Sequence, residues 1–325
     1  MNKLFIILAV IVNLFAIQTV KPTFIFQASG GVTDLVTNNG KLYVATQASS
    51  VDIFDLKTKK LIKKIKVPQI KDFMGDTIDA KIYNVDVYHN KMIFTVQHTS
   101  GFRELYLWEN NKLTKLISSE DKLYISKALF VDDNHILFCL LGNEMILYDI
   151  KAKKNIFRID VKAPDADFNS TFADVALNED HTLAIVADES GDLKIVDLKA
   201  GKVIKILAGK NLDKVFKVDI KNNKIITAGQ DGRCVVYDIK ENSDYFLREE
   251  PNWFLIYAAG LSPSGRYGAY SSDENNNVTV FDTWMKSKLY KLTNNTMTLT
   301  SILFINENEI VVGTDSKKLN YYKLK

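Results

Sequence analysis

From about residue 32 onward, short runs of alternating apolar and polar residues are separated by Asn, Asp, Ser and Gly, the punctuation of antiparallel strands and tight hairpins. One phrase recurs along the chain: an alternating strand, an aromatic residue or Val, an acid, an aliphatic residue, then a Lys-rich turn. The copies are Val51-Asp52-Ile53-Phe54-Asp55-Leu56, Leu105-Tyr106-Leu107-Trp108-Glu109, Ile146-Leu147-Tyr148-Asp149-Ile150 and Ile195-Val196-Asp197-Leu198. Val236-Tyr237-Asp238-Ile239 and Val280-Phe281-Asp282-Thr283 follow, and Leu319-Asn320-Tyr321-Tyr322 is a degenerate last copy. Their spacing of roughly 40–54 residues is that of propeller blades.

Each copy sits in a four-strand frame. In the fourth, residues 172–177, 182–187, 192–198 and 203–208 read as inner, second, third and outer strands. One such meander cannot bury both of its faces, so the pattern predicts blades stacked around an axis. The expected fold is all-β, a propeller of seven four-stranded antiparallel blades, give or take one. The last copy supplies only three strands, at 298–304, 309–314 and 318–325, and residues 23–27 are expected to complete that sheet and close the ring. Outer edges carry Lys63, Lys64, Lys115, Arg158, Lys205 and Lys291, which discourage edge-to-edge pairing.

Ahead of this array, Lys3 precedes an apolar stretch over residues 4–17 that is short for a membrane span, the pattern of an export leader. Residues 1–20 are expected to be a signal peptide, or an uncleaved anchor that would be the only membrane element, with 21–325 as a single propeller domain in the periplasm. Composition agrees with a soluble domain: 46% hydrophobic and 25% charged. The net charge of +3, from 42 basic and 39 acidic side chains, gives a whole-molecule field too weak to argue for nucleic acid. Partners must be sought in local patches. The two cysteines, Cys139 and Cys234, lie in apolar strand patterns and read as buried free thiols.

The run Gly229-Gln230-Asp231-Gly232-Arg233-Cys234-Val235-Val236-Tyr237-Asp238 resembles the Asp-Gly turn and Trp-Asp strand ending of the WD40 family, and Leu261-Ser262-Pro263-Ser264-Gly265 resembles its inner hairpin. The likeness spans nearly all of 23–325 but departs from the family pattern. Trp holds the aromatic position only at Trp108, and no Gly-His dipeptide occurs. The whole-chain organisation, with an export leader before one degenerate propeller, is similar to NapL-type accessory proteins of the periplasmic nitrate reductase system. That resemblance implies a role in maturation or electron supply of the reductase, with one of its components as partner.

Catalytic chemistry finds little footing. His89, His135 and His181 fall in equivalent turns a blade apart and read as solvated turn residues; His98 reads as a surface residue. Asp34, Asp86, Asp174 and Asp219 lie on or near inner strands and are expected as solvated acids of an axial channel. The rival is a metal ringed by carboxylates, as in propeller lactonases, with hydrolase activity. No phosphate-cradling loop, nucleophile elbow or zinc-protease helix occurs, and no cofactor, metal or catalytic residue is assigned.

What remains is surface. Hairpins between third and fourth strands are basic, and the opposite loops lean acidic and carry large apolar residues. Phe73, Met74 and Asp76, then Phe168, then Glu250, Trp253 and Phe254 are the candidate partner-binding residues, aromatics beside acids as in an interface core with its polar rim. The alternative is that the aromatics tuck under their own loops. The reading is a non-enzymatic binding propeller, with a lactonase-like hydrolase or an outer-membrane assembly scaffold as rivals.

The leader pattern generates one test. Cell fractionation and N-terminal sequencing are expected to find the protein in the periplasm, starting near residues 17–21. Full-length chain in the cytosol would end the exported reading.

Overall fold

The computed structural model describes residues 17–162, 170–249 and 253–324. They form seven antiparallel four-stranded blades, the sheet of one blade carrying a fifth, parallel strand, and one two-stranded hairpin outside the blades. The innermost strands are Val32–Asn38, Ile82–Tyr88, Ile125–Phe130, Phe172–Leu177, Val215–Lys221, Ala259–Leu261 and Leu299–Asn306. Each packs against the next, and the last against the first, so the sheets close into a seven-bladed propeller. Blades 1–7 are numbered from these inner strands. Among the described residues helical structure is confined to a single 3-10 turn, Ser119–Asp121.

Burial explains the pattern strand by strand. In blade 4 the second and third strands, Leu183–Asp188 and Leu193–Asp197, are buried almost throughout, because a neighbouring blade covers each face. The outer strand Lys202–Leu207 has only exposed and half-buried positions. Between blades 1 and 2, Ala45, Val51 and Ile53 pack on Ile82, Val85, Phe94 and Tyr106, and comparable clusters fill the other junctions. Cys139 and Cys234 are buried free thiols in such junctions, and burial pushes both pKa values up.

The acid of the recurring phrase has a local cause. Asp55 Oδ1 accepts from the backbone N–H of Thr58, Asp149 from Lys151 and Ala152, Asp197 from Ala200, Asp238 from Lys240 and Glu241, and Asp282 from Trp284 and Met285. Each aspartate thus closes its own hairpin as an Asx turn. The fourth residue beyond it takes the left-handed conformation in all five, as Lys59, Lys153, Gly201, Asn242 and Lys286. Blade 2 has Glu109 instead, and there Asn110 and Asn111 are both left-handed, a turn that needs no such cap.

Ring closure follows the expectation. Strand β2 (Phe24–Gln27) pairs antiparallel with the third strand of blade 7, Lys318–Lys323, placing Phe24 opposite Tyr321 and Phe26 opposite Leu319. Phe26 is buried, edge-on to Phe54 of blade 1 at 5.2 Å and to Tyr321 of blade 7 at 6.3 Å. Lys59 of blade 1 adds its ammonium 3.2 Å from the Tyr321 ring centroid. A second N-terminal strand was not expected: β1 (Gln18–Val20), inside the segment read from sequence as leader, pairs parallel with the outer strand of blade 6, Lys288–Leu292. The N-terminal chain therefore fastens two blades rather than one.

Phe26→Ala removes a buried ring shared by blades 1 and 7 and is expected to cost about 3–5 kcal/mol in urea unfolding. A variant as stable as the parent would refute the seam as a stabilising element.

Candidate functional site

Two places merit inspection, the axial channel and the face of the inter-blade loops. The channel is a cavity of about 390 Å³ lined in part by Asp34, Asp86, Lys127, Asp174, Lys217 and Asp219. Inner strands begin with a bulge, and the residue directly after it is Asp34, Asn84, Lys127, Asp174, Lys217 and Ser301 in blades 1–5 and 7. These positions are equivalent and form one tier.

The acids are not simply solvated, contrary to the expectation from sequence. Each reaches forward one blade to a backbone N–H on the free edge of the next inner strand. Asp34 accepts from Val85 at 3.2 Å, Asp86 from Phe130 at 2.7 Å, Asp174 from Val218 at 3.1 Å and Asp219 from Leu261 at 2.9 Å. Asn84 does the same for blade 3, accepting from the Ala128 N–H and donating to its carbonyl. An inner strand has no partner on its axial side, and these side chains supply the missing acceptors.

Lys127 Nζ lies 2.7 Å from Asp174 Oδ1. Burial works to raise the Asp174 pKa, but Lys127 and Lys217 outweigh it and hold the carboxyl below its ordinary value. For Asp34 and Asp86 burial dominates and their pKa values rise. For Lys127 burial acts downward, yet Asp174, Asp34 and Asp86 together keep it above the usual lysine value. The ring is a mixed-charge lattice, and among the described residues no group of three His, Cys, Asp or Glu is placed to hold a metal ion.

The turn histidines also tie blades together rather than merely meeting solvent. His89 Nδ1 lies 3.1 Å from Asp133 of the next blade, and His181 Nδ1 lies 2.9 Å from the Val131 carbonyl of the preceding one. Tyr88 packs against both rings, at 4.3 and 5.8 Å. His135 bonds Asp132 in its own blade, and His98 remains on an exposed loop with Ser100.

On the inter-blade-loop face, Phe73 is 95% exposed. A small hairpin, Ile70–Lys71 with Thr77–Ile78, carries it outward, and Asp72 Oδ1 fixes the tip by accepting from the N–H groups of Met74 and Asp76. Met74 and Asp76 are exposed as well. Trp253 is 63% exposed, with the Arg248 guanidinium 4.6 Å from its ring centroid. Phe254 is half-buried, edge-on to Tyr257 at 5.9 Å. Phe73, Met74 and Trp253 do not tuck under their loops; Phe254 partly does. Phe168 and Glu250 lie outside the described residues.

These anchors share a face but not a patch. Phe73 sits between blades 1 and 2 and Trp253 between blades 5 and 6, on opposite sides of the ring. Around Trp253, however, the structure gathers residues that the sequence reading passed over. Leu212, 65% exposed, takes its N–H to Asp231 Oδ2 at 2.7 Å, and Trp253 packs beside Gly232 of the same turn. Arg233 lies 4.8 Å from the Phe246 ring. Next to Trp253 opens a cleft of about 400 Å³ lined by Ile17, Phe254, Glu249, Asp273, Glu274 and Lys291 among others. Leu212 escaped notice because no acid-rich long loop surrounds it; the signal available was a lone Leu within the polar loop residues 209–214.

No protein-family model matches the chain, and no curated protein matches it. Among solved structures it is similar to the β-propeller domain of Cps50 (Swd1) from Myceliophteria thermophila. That likeness has a TM-score of 0.74 and 14% identity, covering 93% of this chain and 100% of that one. As many as 1866 chains match, so the likeness carries the propeller fold and no single function.

The channel lattice has a signed consequence. Asp174→Asn strands the Lys127 ammonium and is expected to lower stability near neutrality by about 3 kcal/mol. Asp174's contribution is complete above the unfolded carboxyl pKa and disappears as pH falls through its lower folded value. Asp34 and Asp86 run the other way. Their folded pKa values are raised, so Asp34→Asn is expected to stabilise near neutrality, an advantage that vanishes in acid. Urea unfolding of the two variants across pH checks both signs; Asp174→Asn and Asp34→Asn shifting stability alike would overturn the assignment.

Proposed function

We propose that this chain is an exported, non-enzymatic propeller that binds a protein partner on the inter-blade-loop face, over blades 5 and 6. The observation that carries this is the exposed cluster of Trp253 and Leu212 around the Asp231-Gly232 turn, beside a cleft. A ring with its charged head and large apolar side chains held in place is the composition of an interface hot spot. Arg248 stacked on Trp253 and Arg233 near Phe246 supply the polar rim.

The partner favoured by whole-chain resemblance is a component of the periplasmic nitrate reductase system, and the role is support of its maturation or electron supply. The support is the combination of leader pattern and single degenerate propeller. The channel acids, which sequence alone left open to a lactonase-like metal site, are engaged by backbone N–H groups and by Lys127, which favours binding over hydrolysis.

Trp253→Ala with Leu212→Ser is expected to weaken partner capture by roughly 100-fold or more without unfolding the ring, since each buried anchor contributes about 2 kcal/mol and about 1.4 kcal/mol is a factor of ten. Phe73→Ser, across the ring, is expected to change capture by less than about threefold. Affinity capture from periplasmic extract with mass spectrometry reads both. Capture unchanged in the double variant ends the surface assignment, and nitrate reductase activity unchanged by gene deletion ends the partner assignment.

A further inference from the structure

The opposite end of the propeller has a different character. There the hairpins joining third to outer strands form a ring, and their exposed residues include Lys57, Lys60, Lys151, Lys154, Lys199 and Lys202 on blades 1, 3 and 4. On blade 6 the equivalent hairpin presents Trp284 and Met285 instead, 76% and 64% exposed. Their tip is fixed, because buried Asp282 accepts from both their N–H groups at 2.8 and 2.9 Å and Lys286 holds the left-handed turn. Lys224 lies 5.1 Å from the Trp284 ring. An indole and a thioether displayed rigidly to solvent amid lysines contribute nothing to their own hairpin's core.

We propose that this hairpin face seats on an anionic lipid bilayer, with Trp284 and Met285 entering the headgroup layer and the surrounding lysines meeting lipid phosphates. Three observations favour a bilayer over a compact acidic protein. The lysines do not converge on one point but are spread over hairpins around the ring, so an extended planar array of anions matches them and a single acidic patch does not. The hairpin aspartates are turned inward as turn caps, which leaves the tips of blades 1, 3 and 4 basic, while on blade 5 exposed Glu241 stands beside Lys240. Acids on the turns nearer the axis at this end are already engaged: Asp133 with His89, Glu179 with the Asn222 N–H, Glu307 with Ser262 and Ser264. An indole at the water–lipid boundary with flanking lysines is the arrangement that interfacial anchoring uses. Seated this way, the protein holds its inter-blade-loop face away from the membrane, and the inference stands independently of which partner binds there.

The test is sedimentation of the full chain with vesicles of phosphatidylcholine containing about 30% phosphatidylglycerol, against phosphatidylcholine alone, with juxtamembrane lysines each expected to matter for the anionic lipid. Binding is expected to the anionic vesicles at about 0.05 M salt and to be lost at about 0.5 M, where screening is short-ranged. Lys151→Gln with Lys154→Gln is expected to weaken it by roughly tenfold or more. Trp284→Ser is expected to weaken binding and to abolish quenching of tryptophan emission by brominated lipid, and Trp253→Ala on the other face to leave both intact. All these side chains are exposed, and circular dichroism checks that each variant retains its fold. Absence of wild-type binding to anionic vesicles at low salt, affinity unchanged in the hairpin variants, or binding to heparin or an acidic protein without binding to vesicles would each overturn the proposal.

Discussion

Every blade of a propeller leaves one strand edge facing the axis, and the N–H groups along that edge have no sheet partner. In this chain Asp34, Asn84, Asp86, Asp174 and Asp219 satisfy such groups, each from the blade before. The rest of the ring depends on that interaction, because it fixes the rotation of one sheet relative to the next while the apolar clusters between blades supply most of the stabilisation. Lys127 answers the charge that these carboxylates bring into the channel. Without such answers the concentration of acids would oppose its own burial.

The same principle operates where loops enter blades. Ser29 donates to Asp52 through both its N–H and its hydroxyl, tying the approach to blade 1. Glu249 accepts from Tyr270, Thr279 and Lys288 at the approach to blade 6. In blade 4 a fully buried pair, Lys194 with Asp188 at 2.6 Å, is completed by Ser170 and Asn143. These networks differ in chemistry from blade to blade but occupy comparable places. That variety is how a degenerate repeat keeps regular geometry: buried polar groups must be matched, and which residues match them is free to change.

Much of the architecture was legible in the sequence. The strands of blade 4 fall within a residue of their expected bounds, since alternation and turn residues both mark them. The closing strand was legible because blade 7 lacked an outer strand. The role of the channel acids was not, since the groups that donate to them are backbone N–H groups 42 to 51 residues further on. That distance is about one blade repeat, but it varies from pair to pair and no side-chain motif marks it. β1 was not anticipated because residues 17–20 were assigned to the leader pattern, whose apolar stretch ends at Ile17. The candidate interface was half legible: the loops that carry Phe73 and Trp253 were picked out, with exposed and tucked side chains both open, whereas their separation around the ring and the company of Leu212 depend on blade geometry.

Closure by β2 also sets a schedule. Thr23 and its partner Tyr321 are 298 residues apart, so a strand near the start of the chain waits for nearly the last. At typical elongation rates that interval is roughly 15–60 s. Throughout it Phe24, Ile25 and Phe26 have no sheet to join, while blades 1 to 6 can already assemble as an open arc with two raw ends. The nascent ring is therefore a clasp that snaps shut only after translation has passed its final blade. In that interval the apolar strand and the two open sheet edges are exposed to off-pathway pairing, which a chaperone or a translocation channel would suppress.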